Sequence, residues 1–122
     1  MFKEKLLEGL AHFNHQEFWE AHESWEVLWL ESETDLHQYL QGLIQLAAAY
    51  HHVKRGTTRG AIRLFDAALA KLGAFPTVHC GIDRASAVAA AGRDRERLVR
   101  GEEAGEFPSL EIASEVPQLE SW

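Results

Sequence analysis

A chain of 122 residues with a net charge of −7 and one cysteine is long enough for a single domain with its own core, and it holds no disulfide to staple that core. Residues 102–122 carry six glutamates and no Lys or Arg, which leaves the first 101 residues with 12 basic against 13 acidic side chains, a net of −1. A near-neutral body with an acidic end offers no basic face for DNA or RNA, so nucleic acid is not an expected partner.

The opening segment, MFKEKLLEGLAHF, sets charges among its apolar residues and lacks the unbroken run and cleavage site of a secretion signal. The least polar stretch, GLIQLAAAY, falls far short of the ~20 residues that a membrane span requires. A cytoplasmic setting without a membrane partner is therefore expected.

Apolar residues recur at three and four up to residue 100, with no alternation of period two before the tail, which predicts an all-α fold. The expected architecture is an irregular array of about five helices built from two helical hairpins. The first helix is expected over residues 3–13 and the second over residues 15–30, with Asn14 as N-cap and Glu17 placed to answer it. A third starts at Thr34 or Asp35 and runs to residue 54, where Gly56 supplies a left-handed turn. Thr57 or Thr58 then caps a fourth helix that ends at Gly73, ahead of Pro76. A fifth, over residues 84–100, is bracketed by Asp83 and Gly101. Residues 1–101 are thus expected to form one helical domain, and residues 102–122, with Pro108 and Pro117, an extended acidic tail that lies along the bundle or frays.

An offset of 40 residues sets Leu6 on Leu46, Leu10 on Tyr50, Ala21 on Ala61, Trp25 on Phe65 and Trp29 on Leu69. Two similar hairpins follow, each with a small residue in its second helix one turn before an aromatic. The pattern is tetratricopeptide-like, although its period differs and two units are too few for a solenoid.

The most unusual stretch is FWEAHESWEVLW, residues 18–29. On a helical wheel Phe18, His22, Trp25 and Trp29 fall within about 60° of one another. This puts His22 inside the apolar stripe, with Glu26 as its i+4 neighbour and Glu23 toward the boundary. In the third helix Leu40, Ile44, Ala47 and His51 share a face, with Gln41, Gln45 and His52 as a polar stripe at its edge. If these faces pack, His22, Glu26 and His51 converge. Two imidazoles and a carboxylate suit a divalent metal with an open position for water or substrate. Alternatively, Glu26 fixes the tautomer of His22 and the pair satisfies itself. HESWE departs from the zincin pattern H-E-x-x-H at its fifth residue, Glu26, and no paired Glu-x-x-His motif of the di-iron bundles is present.

VKRGTTRGAIR places Lys54, Arg55, Arg59 and Arg63 around a Gly-rich turn that opens a helix, a setting that favours anions but lacks nucleotide-loop spacing. Cys80 beside His79 reads as a free thiol rather than a positioned nucleophile. Trp19 and Trp122 are candidate partner contacts, with an edge-of-core place favoured for Trp19.

The phrases HFNHQEFWEAHESWEVLW and YLQGLIQLAAAYHHVKRGTTRGAIRLFDAALAKL, followed by GID and FPSL, resemble the domain of unknown function 309 family of small helical prokaryotic proteins over about residues 6–112. The resemblance implies an irregular helical array with a characteristic His-Glu and Gln-Gly segment, which falls here on Phe13, Asn14, His22, Glu23, Glu26, Trp29, Gln41, Gly42, Gln45, His51, Arg55, Gly56, Gly60 and Ala61. It implies no activity. Trp25 departs from the aliphatic residue expected there.

The leading expectation is a binding module for a small ligand or protein partner, with His22, Glu23, Glu26, Gln41, Gln45, His51, His52, Arg55 and Arg59 as binding residues. The rival is a metal-dependent, hydrolase-like enzyme using His22, Glu26 and His51. An acidic tail ordered across a neighbouring subunit would favour a homodimer.

Overall fold

Five helices and one small hairpin follow one another in a computed structural model that describes residues 1–119: α1 (Phe2–Asn14), α2 (Phe18–Glu31), α3 (Thr34–Arg55), α4 (Thr58–Leu72), β1 (Val78–His79), β2 (Ile82–Asp83) and α5 (Arg84–Val99). The all-α expectation holds. The helix α3 is the hub, packing on α2 along one side and α4 along the other, while α1 pairs with α2 and α5 with α4.

Each helix contributes a stripe at helical spacing. Phe2, Leu6, Leu10 and Phe13 come from α1, Phe18, Ala21, Trp25 and Leu28 from α2, and Tyr39, Leu43, Leu46 and Tyr50 from α3. At the centre Tyr50 meets Phe13, Phe18 and Phe65 with ring centroids 4.9 to 5.9 Å apart. Aromatic pairs of this kind contribute roughly 0.5–1.5 kcal/mol each beyond the area they bury. Ala21 and Ala61, related by the 40-residue offset, are both fully buried one turn before a fully buried aromatic, Trp25 or Phe65.

Trp25 reaches the core because Gly9 faces it: a Cβ at Gly9 would fall inside the indole. The indole Nε1 donates to the Leu6 carbonyl at 3.2 Å, so its one polar atom is satisfied in the interior.

Three local expectations are corrected. Asn14 does not cap α2. It is the last residue of α1, and its amide clamps the C-terminal segment instead: Nδ2 donates to the Leu110 carbonyl at 3.1 Å and Oδ1 accepts from the Leu110 amide at 2.7 Å. The chain turns through Gln16 in the left-handed region (φ 62°), so α2 starts three residues later than expected, at Phe18. Glu17 turns to His12 (3.0 Å) rather than to a helix amide.

The second correction is the hairpin, whose two-residue strands are too short for a period-two signal. Val78 pairs with Asp83 and His79 with Ile82, and the turn residues Cys80 (φ 52°) and Gly81 (φ 81°) are both left-handed, as a type I′ turn requires.

Third, Thr57 sits at the N-cap of α4 without a side-chain bond to the helix, and the expected caps of α3, Thr34 and Asp35, lie inside its first turn behind Glu33, which makes no side-chain bond to the helix either; of the N-caps Asp83 behaves as expected, accepting from the amide of Ser86 at 3.0 Å. Gly56 does take the left-handed cap of α3 (φ 77°).

Residues 102–119 contain no helix. Ile112 bridges Ile82, flanked by Asp83 N to Glu111 O (2.9 Å) and Ala113 N to Gly81 O (2.8 Å), so the segment adds to the hairpin as a further extended strand. Leu110 and Val116 are buried under it. Farther on, Gln118 Oε1 accepts from the Lys3 amide at 3.0 Å, supplying from the far end of the chain the cap that the start of α1 lacks. Trp122 lies outside the described residues.

Candidate functional site

On α2 the buried positions are Phe18, Ala21, Ser24, Trp25 and Leu28, and His22 stands one residue beside the apolar row among them. It therefore lies at the edge of the stripe, not within it: its side chain is 19% exposed, and Nε2 approaches Glu26 Oε2 at 3.2 Å across one helical turn. Its other ring nitrogen, Nδ1, is buried without a hydrogen-bond partner among the described residues.

One turn earlier, Trp19 lays its indole on the His22 imidazole, with centroids 4.8 Å apart and planes at 18°. The same indole touches His51 of α3 at 5.5 Å. Trp19 is 49% exposed, so an aromatic surface resting on two imidazoles meets solvent at the α2–α3 seam. The sequence reading placed this residue at the core edge; the tight Phe18–Ala21–Trp25 stripe turns it outward instead.

Two hollows share the indole. One, of about 350 Å³, is bounded by Gln16, Trp19, Glu20, His51 and Arg55; the other, of about 450 Å³, by Trp19, His22, Glu23, Glu26, Val27 and Leu30. Lys54 Nζ donates to the Gln16 carbonyl at 2.9 Å and pins the α1–α2 turn against α3, a role not read from the sequence. Burial, chiefly, holds His51 below the ordinary imidazole range, with the Arg55 and His52 charges acting in the same direction. At neutral pH it is an uncharged ring able both to donate and to accept a hydrogen bond.

Of the expected binding residues, His22, Glu23, Glu26, His51 and Arg55 gather along this rim. The others do not join it. His52 points to α4, where a Cβ on Gly60 would lie 2.9 Å from its Nδ1, so it belongs to the α3–α4 contact. Arg59 borders a separate hollow with Thr58, Ile62, Arg63 and Asp66. Gln41 and Gln45 are half-buried on α3, and no hydrogen bond joins them to His22, Glu26 or His51; Gln45 Oε1 is buried and unpartnered.

His22 and Glu26 close on each other and His51 closes on Trp19, and among the described residues no three His, Cys, Asp or Glu side chains are placed to hold a metal ion. A divalent metal would need such donors to converge at about 2.0–2.2 Å. Cys80 sits half-buried at the hairpin turn, where burial pushes its thiol up and away from nucleophilic use.

A stack that the sequence reading missed joins Trp29 to His37: the rings lie 4.5 Å apart, and His37 Nδ1 is 3.0 Å from the Trp29 carbonyl. Their separation by eight residues across a turn gave no helical-face signal.

The segment that builds the rim also carries the recognisable sequence. Residues 6–64 match the family described as domain of unknown function (DUF309). Over that stretch the chain is similar to the family. The DUF309 match starts within α1, ends in α4 and contains Trp19, His22, Glu26, His51 and Arg55, while the hairpin, α5 and the C-terminal strand lie beyond it. The match is shorter than the resemblance read from the sequence and does not reach GID or FPSL. No curated protein matches the chain.

Proposed function

We propose that this protein is a binding module and that the rim around Trp19 is its binding surface, open to a small planar ligand or to a side chain of a protein partner. One observation carries the reading: a half-exposed indole, held flat on His22 and against His51, between two hollows. A planar group gains roughly 0.5–1.5 kcal/mol by stacking on such a face. Beside it, neutral His51 offers a donor or acceptor and Arg55 a positive charge, so the rim provides orientation as well as area.

The test is an NMR screen of planar aromatic fragments against the full chain. Hits should shift the Trp19 indole and His51 resonances and should vanish in Trp19→Ala, while the variant loses no more than about 1 kcal/mol of stability, because the side chain is half in water. Fragments that bind Trp19→Ala unchanged would refute the reading.

The rim should also make itself felt in stability. His51 is held below the ordinary imidazole range when folded, so the unfolded chain binds its proton first. Stability is then fully present above about pH 6.5 and declines as pH falls toward the lower folded value. Thermal melts from pH 7.5 to 5 should show this decline, and His51→Gln should reduce it. His79, lowered in the same direction by burial, retains its own share in that variant. An unchanged pH slope in His51→Gln would contradict the burial argument.

A further inference from the structure

The helix α2 packs on α1 and on α3, and among the described residues its third face, with Trp19 and Leu30, is turned to solvent. Along that face run Trp19 (49% exposed), Val27 and Leu30 (68% exposed), with Glu23 and Glu26 between them as walls of the same hollow. From Trp19 to Leu30 is about 16 Å, or three helical turns. Residues 17–35 hold seven carboxylates and no Lys or Arg. Glu23 forms no ion pair among the described residues, and Glu26 is met only by His22.

We propose that this outer face of α2 docks an amphipathic helix of another protein, one whose apolar residues recur at three and four and whose flanks carry Lys or Arg. The inference rests on the reading of the rim as a binding surface and names its occupant. Spacing and charge select that occupant. The exposed Trp19 and Leu30 and the half-buried Val27 lie on one helical face, at offsets of eight and three residues, so a helix laid along them meets apolar side chains at both ends of the strip and Glu23 at the turn between. Carboxylates beside an apolar strip with no Lys or Arg on the same helix, Glu23 without an ion pair among the described residues and Glu26 met only by His22, reward a basic flank and penalise an acidic one. A second copy of this chain is disfavoured by the same rule: two α2 faces laid antiparallel would set Glu23 and Glu26 of each against those of the other.

The probe is an 18-residue Leu/Lys amphipathic helical peptide, with a Leu/Glu peptide of the same pattern as control, titrated into the full ¹⁵N-labelled chain. The Leu/Lys peptide should shift the amides of Trp19, Glu23, Glu26, Val27 and Leu30. Its affinity should fall several-fold between 50 and 300 mM salt, as contacts between exposed charges do. Leu30→Glu and Glu23→Lys should each weaken it about tenfold while leaving the amide spectrum folded. Equal binding of the Leu/Glu peptide, or shifts confined to other helices, would overturn the proposal. So would concentration-dependent shifts of α2 amides without peptide, accompanied by a dimer in sedimentation, because the occupant would then be a second copy. Planar fragments that move Trp19 and His51 while the Leu/Lys peptide leaves α2 untouched would overturn the docking alone and leave the rim a small-ligand site. Silence from fragments and peptide together would remove both.

Discussion

Gly9→Ala should cost about 3 kcal/mol or more and lower the melting temperature by roughly 10 °C, although it adds one methyl group. The methyl would occupy the place of the Trp25 indole, which is fully buried and cannot retreat into solvent. Rotating the indole away would break its bond to the Leu6 carbonyl and press on Phe13, whose ring centroid is 6.1 Å distant. Relief therefore requires α1 and α2 to separate, which opens the core that both helices share with α3. Urea and thermal unfolding measure the cost. A double variant, Gly9→Ala with Trp25→Leu, should lose less than the sum of the two single changes, because the second removes the obstacle that the first meets. A Gly9→Ala protein within about 1 kcal/mol of the parent would show that α1 and α2 do not approach as closely as this packing requires.

That contact also shows what the sequence makes legible. Helical periodicity locates all five helices, because their buried rows are long enough to repeat the period several times. It places Trp25 inward but says nothing of Gly9, because a residue without a side chain leaves no hydropathy mark. His22 was misplaced by a single step. On a wheel it lies within the stripe, yet the buried row is Phe18, Ala21, Trp25 and Leu28, and which neighbouring row wins is decided by α1 and α3 rather than by α2 alone. Asn14 is a similar case. Its residue type suits an N-cap, but its partner, Leu110, is 96 residues away and tertiary in origin. The hairpin was invisible for another reason: two-residue strands hold no alternation to detect, and their pairing depends on the segment around Ile112. At the candidate site, five of the nine expected residues gather on the rim. The residue at its centre, Trp19, is a candidate partner contact in the sequence with a core-edge place favoured, because an aromatic at a stripe's edge reads as core until packing turns it out.

Tyr50→Phe, the loss of one oxygen atom, should cost about 2–4 kcal/mol. The Tyr50 hydroxyl donates to Asp94 Oδ2 at 2.6 Å, and the Gly105 amide donates to Oδ1 at 3.2 Å. Asp94 is only 6% exposed, so these two donors replace the water its carboxylate gave up. Burial first, and the Asp94 bond second, hold the Tyr50 hydroxyl protonated far above its ordinary range, which makes it a donor at every pH the fold tolerates. Removing it leaves a buried carboxylate with a single amide, whereas Tyr50→Phe combined with Asp94→Leu removes both the donor and the charge. The double variant should therefore recover part of the loss and fall short of additivity by about 1–2 kcal/mol. Its effect on the C-terminal segment should be separable. Without Asp94 the Gly105 amide has no acceptor, so hydrogen exchange around residues 104–108 should quicken in Asp94→Leu. Phe107 meets Phe18 with ring centroids 5.3 Å apart and planes tilted by 54°, and Phe18 immediately precedes Trp19, so the same loosening reaches the back of the rim. A Tyr50→Phe protein within about 0.5 kcal/mol of the parent would mean that the Asp94 charge is satisfied without Tyr50, and that this hydroxyl does not tie α3 to α5.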